Sequence, residues 1–268
     1  MPPSTGHMSD IITSSRRMAE QLWNDEVCRQ YLLQNVGGRT VHTVLFYSGA
    51  GSLRVGLGHF VDALNEVGNL GFSMKFVADI EKMPCCQKFL HLAFDEGAMI
   101  KDAKHCTSKA DVHDERNGDF IPCPVGHFSI GGPICGAMSS LNINKKRNAS
   151  CIDTRTAGTG ETFGYMFDHA RVHEIPTVMV ENSPNFDKAV APDDVEDASP
   201  LLSATHQFSE IGYFGASRQV KALYQQRLLV HCMLVLLLMF EYTLFQPSPR
   251  ASSDDPLAPV CFTSPCCQ

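Results

Sequence analysis

Residues 44–57 read VLFYSGAGSLRVGL. An apolar, β-branched run from Val41 to Tyr47 ends in Ser48-Gly49-Ala50-Gly51-Ser52, and helical spacing takes over from Leu53 to about Glu66. A buried strand, a glycine turn and a helix, in that order, make the opening unit of a parallel α/β sheet. Glycines at such a turn let the backbone approach a ligand, and the helix beyond them offers free amides. Alone, a Gly-x-Gly pair is weak evidence, because many such pairs are only turns. The continuation strengthens it: Phe76 to Asp79 reads as a second strand running out at Glu81, where a Rossmann-like site binds ribose hydroxyls. A solvated helix cap before Pro84 is the plainer reading of Glu81.

Further along, Pro84 to Phe94 reads as a second helix with its proline in the first turn, and Ala98-Met99-Ile100 as a third strand followed by Asp102. Residues 128–142, FSIGGPICGAMSSLN, bring a short apolar strand into a Gly-Gly-Pro turn and deliver Cys135. Residues 176–186, PTVMVENSPNF, repeat the design and deliver Glu181. Neighbouring strand ends in an open α/β sheet open into one crevice, so Cys135 and Glu181 are expected to meet there, facing the turn at 48–52. A nucleophile beside a carboxylic acid is the minimum needed to attack a polarised ring or carbonyl.

The flanks are simpler. Residues 1–10 read as disordered, and Ser14 to Leu33 as one helix packed on the outside, with Met18, Leu22, Trp23, Val27 and Tyr31 at helical spacing. Residues 142–160 have the composition of a mobile loop, whose Lys145-Lys146-Arg147 is either a solvated run or a phosphate contact. An acidic linker at 187–200 precedes a final strand pair at 212–221 and 228–237, with Gln225 and Arg227 near the turn between them. The expected organisation is an N-terminal helical extension at 1–40, one catalytic domain at 41–245 and a disordered tail at 246–268.

Composition sets limits on function. The 268 residues carry a formal charge of −7, so no basic excess exists for broad non-specific nucleic-acid binding. A hydrophobic fraction of 44% excludes wholesale disorder. The apolar run at 228–240 falls short of the roughly 20 residues a membrane span needs, so no membrane association is expected. Eleven cysteines, an odd number, and an opening MPPSTGHMSD without a basic-then-apolar leader point to reduced thiols in a cytosolic or nuclear compartment. Cys106, His113, Cys123 and His127 are zinc-ligand types, but their loose spacing, with no Cys-x-x-Cys pair, argues against a metal. His169 and His173 have Ala170 where the metalloprotease pattern needs Glu, and read as ordinary helix residues.

Taken in order, these stretches resemble the cytosine carbon-5 DNA methyltransferases. VLFYSGAGSLRVGL at 44–57 is similar to the family's cofactor loop, Cys135 after its Gly-rich turn to the catalytic loop, and Glu181-Asn182 to the next motif. Phe163 to His173 resembles the helix between the catalytic strands, and GYFGASRQVKALYQQRLLV at 212–230 a degraded Gln-x-Arg-x-Arg motif. The resemblance implies a doubly wound, Rossmann-like α/β fold that binds S-adenosyl-L-methionine. Tyr47, Ser48, Gly49, Ala50, Gly51, Glu81, Asp102 and Pro133 would hold it, with Asp102 on the adenine amino group unless it is only a turn aspartate. It implies catalysis by Cys135 as nucleophile, Glu181 as donor to the base and Arg227 as its holder, on a cytosine flipped out of DNA.

Several positions depart from the family. Ile134 stands for the proline before the nucleophile, Gly136 for Gln or Asn, Ser183 for Val, Leu229 for a second arginine, and Leu45 for an acidic residue. Only 38 residues follow the degraded arginine motif, so the family's target-recognition domain and last cofactor motif are expected to be absent and a partner chain to supply recognition. Two other readings stand beside DNA methylation by a nuclear or, in a bacterium, cytoplasmic enzyme. One is a catalytically silent regulatory module. The other is an enzyme on another substrate, RNA such as tRNA or a different Rossmann-like chemistry.

Overall fold

The computed structural model describes residues 8–134, 151–156, 158–175, 177–180, 214–215 and 260–262. The chain runs through α1 (Met8–Asn24), α2 (Glu26–Asn35), β1 (Thr40–Phe46), α3 (Ser52–Gly68), β2 (Ser73–Ile80), α4 (Pro84–Ala93) and β3 (Ala98–Ile100). A two-stranded ribbon of β4 (Val112–His113) and β5 (Phe120–Ile121) follows, then β6 (Phe128–Gly131), α5 (Cys151–Thr154), α6 (Thr159–His173) and β7 (Thr177–Val180). Two short strands, β8 (Phe214–Gly215) and β9 (Val260–Phe262), complete the described elements.

The sheet is parallel, in the order β3-β2-β1-β6-β7 and then β9-β8. Winding goes outward from β1 through β2 to β3, then returns to β6 on the other side of β1. The reversal between β1 and β6 opens a crevice outside the carboxyl ends of these strands. Both faces of the sheet are covered, as a parallel sheet requires. Val41 and Leu45 of β1 join Leu22 of α1, Leu32 of α2 and Phe60 and Leu64 of α3 on one face. Val44 and Phe46 join Ile152 of α5, Phe163 and Met166 of α6 and Val178 of β7 on the other. This is an α/β architecture compatible with a Rossmann-like fold.

A register shift interrupts the pairing of β1 with β2. Thr43 lies opposite Phe76 but Val44 opposite Ala78, so Val77 has no partner of its own. Such a bulge exchanges the faces of every residue beyond it. Phe76 accordingly belongs to the α3 side, whereas Ala78 and Ile80 belong to the α6 side. Asp79 is thereby turned towards α3, where Arg54 meets it.

Expectations at both ends of the chain change. The single helix at 14–33 is two, because the Asp25 carboxylate accepts the Cys28 N–H (3.0 Å) and starts α2 afresh. Val27, expected in the apolar stripe, is 78% exposed. The first helix begins at Met8, inside the stretch expected to be disordered; residues 1–7 lie outside the described part. The two helices, with Val36 just after them, bury Met18, Ala19, Leu22 and Leu32 in the same core as β1 and α3, packed on the outside of the sheet as expected. At the other end, β9 lies within the stretch expected to be a disordered tail, and of the expected strand pair only Phe214–Gly215 is described. Among the described residues, no helix is long and apolar enough to cross a membrane.

Candidate functional site

The turn between β1 and α3 is bent tightly at the crevice. The N–H groups of Tyr47 and Ser48 both donate to the Ile80 carbonyl (2.7 and 3.3 Å), and the Gly51 N–H closes the turn onto the Ser48 carbonyl (2.8 Å). Tyr47 takes φ +57°, a left-handed conformation uncommon for a bulky residue, and its strain is held by the bonds around it. Gly51, also left-handed, starts α3 without a side-chain cap. A Cβ on Gly51 would stand 2.6 Å from the Phe94 ring, so α4 packs directly against the turn. At Gly49 the surroundings are open: among the described residues a Cβ would meet nothing within 4 Å.

Glu81 holds this turn to the second strand. It is 7% exposed. One carboxylate oxygen accepts the Gly49 N–H and the other the Met83 N–H, both at 2.8 Å. Its own N–H donates to the Ile100 carbonyl (3.0 Å), and its carbonyl accepts from the Gln87 side chain (2.6 Å). A carboxylate has about four acceptor positions, so two remain beyond these amides.

Asp102, after β3, makes the contacts of a turn aspartate. Its Oδ1 caps the Lys104 N–H (3.1 Å), and Oδ2 lies 3.6 Å from the ammonium groups of both Lys82 and Lys104. The Tyr47 hydroxyl, pushed well above its ordinary pKa by burial and then by the negative charge of Asp102, stays protonated and donates to the Thr162 carbonyl (2.5 Å).

Beyond β6, Gly131 is enclosed: a Cβ there would sit 2.6 Å from Phe46 Cβ and 2.8 Å from Met166 Sδ. Pro133 is buried, while Ile134 is 55% exposed and its N–H donates to Thr162 Oγ1 (3.1 Å). Thr162 therefore ties the ends of both β1 and β6 to the first turn of α6. Nothing in the sequence marked it, since a threonine in a helix is unremarkable until its neighbours in space are known. Proline at 134 would fix the chain through its ring but could not make this bond; Ile134 substitutes a hydrogen-bonded tether.

Of the expected site residues, then, Tyr47, Ser48, Gly49, Ala50, Gly51, Glu81, Asp102 and Pro133 all lie at the carboxyl ends of β1, β2, β3 and β6. Cys135, Glu181 and Arg227 lie outside the described residues, as do Lys145, Lys146 and Arg147. Sequence reading also passed over a buried ion pair beside the turn. Arg54 Nη1 lies 2.5 Å from Asp79 and Nη2 2.9 Å from Glu96, with the guanidinium between the Phe76 and Phe94 rings (4.9 and 4.4 Å). Burial pushes the Asp79 carboxyl upward, with Arg54 partly opposing it.

The quartet Cys106, His113, Cys123 and His127 does not gather. His127 accepts the His42 N–H (3.1 Å), and His113 pairs with Glu115 and stacks edge-on to Phe120. Only Cys106 and Cys123 come together, in the core beneath α6. No family model matches this chain, and no curated protein matches it either.

Proposed function

We propose that the chain is an S-adenosyl-L-methionine-dependent methyltransferase acting on carbon 5 of cytosine in DNA. The observation that supports this most is the convergence, on either side of the β1–β6 reversal, of a strained glycine turn, a buried carboxylate with acceptor positions to spare, and the Pro133-Ile134 segment leading into Cys135. The residues suit the cofactor. Glu81 accepts ribose hydroxyls, the uncapped first turn of α3 takes the carboxylate, and Gly49 leaves room above the turn. When bound, the cofactor supplies an electrophilic methyl group.

The chain's own groups prepare the base. Cytosine carbon 5 is too poor a nucleophile until the Cys135 thiolate adds to carbon 6 and makes carbon 5 enamine-like. Glu181, protonated, donates to ring nitrogen 3 as charge develops there, and Arg227 holds the base by charge-assisted hydrogen bonds. Once carbon 5 carries the methyl group, loss of its proton to a solvent base expels the thiolate, and the proton on ring nitrogen 3 returns to Glu181 as the ring is restored. The acidic chain relies on Lys145-Lys146-Arg147 and a partner surface to hold a duplex.

Titration calorimetry and adduct trapping test the two halves separately. Glu81→Gln leaves one acceptor oxygen for the two amides of Gly49 and Met83, so cofactor affinity should fall by about 1.5–3 kcal/mol, roughly ten- to a hundredfold. DNA carrying 5-fluorocytosine, whose carbon 5 cannot release a proton, should capture the chain covalently in the presence of the methyl donor, and Cys135→Ser should abolish capture. The departures at Ile134, Gly136 and Ser183 favour one other reading, a silent binding module. Cofactor binding without adduct formation on either DNA or tRNA would establish that module and overturn the enzyme.

A further inference from the structure

Beneath α6, away from the crevice mouth, Cys123 Sγ and one ring nitrogen each of His169 and His173 lie within 4.8 Å of one another. The two histidines are four residues apart, hence on one face of the helix, and their rings are 4.8 Å apart. His169 is fully buried, with its ring edge-on to Phe46. Its Nε2 lies 3.2 Å from the Pro124 carbonyl, an acceptor only, so that nitrogen carries the proton and Nδ1 presents a lone pair. Among the described residues, His169 Nδ1 and His173 Nε2 are both buried without a hydrogen-bond partner. Two buried, unsatisfied imidazole nitrogens on histidines gathered around one thiol call for an explanation, since buried polar atoms are ordinarily paired.

We propose that Cys123, His169 and His173 form a metal site for a late first-row divalent transition ion, zinc above all. A thiolate and two neutral imidazoles suit that borderline-soft class and not calcium or magnesium, which take oxygen ligands. Metal–ligand bonds of about 2.0–2.3 Å place tetrahedral ligand atoms roughly 3.3–3.6 Å apart, so a closing of at most about 1.5 Å by side-chain rotation completes the site. Binding converts the Cys123 thiol to a thiolate and releases its proton to solvent. The Pro124 carbonyl, one residue beyond the cysteine, orients His169 as outer partners of ligand histidines commonly do. Cys106, whose carbonyl receives the Cys123 thiol at 3.9 Å, is the neighbour best placed to supply a fourth ligand. The ion would staple the segment between β3 and β6, whose own regular structure is a two-stranded ribbon and one short turn, onto α6.

The test uses the full chain, reduced and stripped with a chelator, then titrated with Co²⁺ and Zn²⁺. One Co²⁺ per chain should give the intense visible bands of a tetrahedral ion with a cobalt–thiolate charge-transfer band, Zn²⁺ should bleach both, and Zn²⁺ should raise the unfolding temperature. Cys123→Ser and His173→Gln should each lose the spectrum and the thermal shift. Cys85→Ser with Cys86→Ser, at a surface thiol pair, should keep them. X-ray absorption of the zinc-loaded parent chain gives an answer that needs no variant: a first shell with at least two nitrogen neighbours and one or two sulfurs. A spectrum that survives both ligand substitutions, one lost with Cys85 and Cys86, a shell of sulfur or oxygen alone, or no binding would overturn the proposal.

Discussion

Arg54 and Asp79 are both withdrawn from water, at 4% and 0% exposure, and each is the other's closest opposite charge. Replacing such a pair with apolar groups is often neutral, whereas removing one member leaves a charge stranded. Arg54→Met should therefore destabilise the chain by about 3–5 kcal/mol, measured by urea unfolding at neutral pH, and adding Asp79→Leu should restore most of the loss. The pH dependence has a defined sign. Burial holds the Asp79 carboxyl above its unfolded value of 3.8, so the folded chain binds that proton more tightly than the unfolded one. The contribution is complete below that unfolded value and is lost as pH rises through the higher folded value. The unfolding free energy of the parent chain relative to Asp79→Asn should shrink as pH is raised from about 4.

Strand β6 and helix α6 act together because the strand offers no side chain at its last residue. Gly131 lets Phe46 and Met166 approach from either side, and the chain then passes through Pro133 to the Ile134–Thr162 bond. Gly131→Ala should push β6 away from β1 and α6, with a loss of about 1–3 kcal/mol in denaturant unfolding. On the proposed function, the same change should slow adduct formation at Cys135 more than it weakens cofactor binding, because the glycine turn at 48–51 lies on the neighbouring strand. Equal effects on both would show that the loop after β6 is not aimed through this contact.

Across the whole molecule, the sheet is closed on one face by α1, α2 and α3 and on the other by α5, α6 and the segment between β3 and β6. Neither covering is dispensable. Met18, Leu22, Leu32 and Val36 are each nearly fully buried in one core with α3 and β1. At about 1.5–3 kcal/mol per side chain, their burial matches the whole stability of an ordinary domain, about 5–15 kcal/mol. A chain beginning at Thr40 should lose cooperative unfolding and bind a hydrophobic dye, observable by circular dichroism and fluorescence. Cooperative melting of that shortened chain would show that the two helices are an appendage after all.

The order of apolar runs and glycine turns determined, by itself, the parallel α/β class, the positions of β1, β2, β3, β6 and β7, and the placing of the turn at 47–51, Glu81, Asp102 and Pro133 at the strand ends. Those follow from local rules, because short continuous apolar runs, buried on both faces of a parallel sheet, and the glycine turns that end them are written in neighbouring residues. The division of the first helix at Asp25 was also local, but Asp25 competes with a strong helical pattern, and only the formed cap shows which prevailed. The rest depended on contacts between distant residues. The bulge at Val77, which turns Asp79 towards Arg54, arises from pairing between strands, and no spacing within β2 announces it. Thr162 acquires its role by meeting Tyr47 and Ile134, which lie 115 and 28 residues away along the chain. Cys123 reaches His169 and His173 only because α6 packs over the segment that follows β3. A metal pattern read from linear spacing had therefore grouped that cysteine with His113 and His127, which the tertiary fold sends elsewhere.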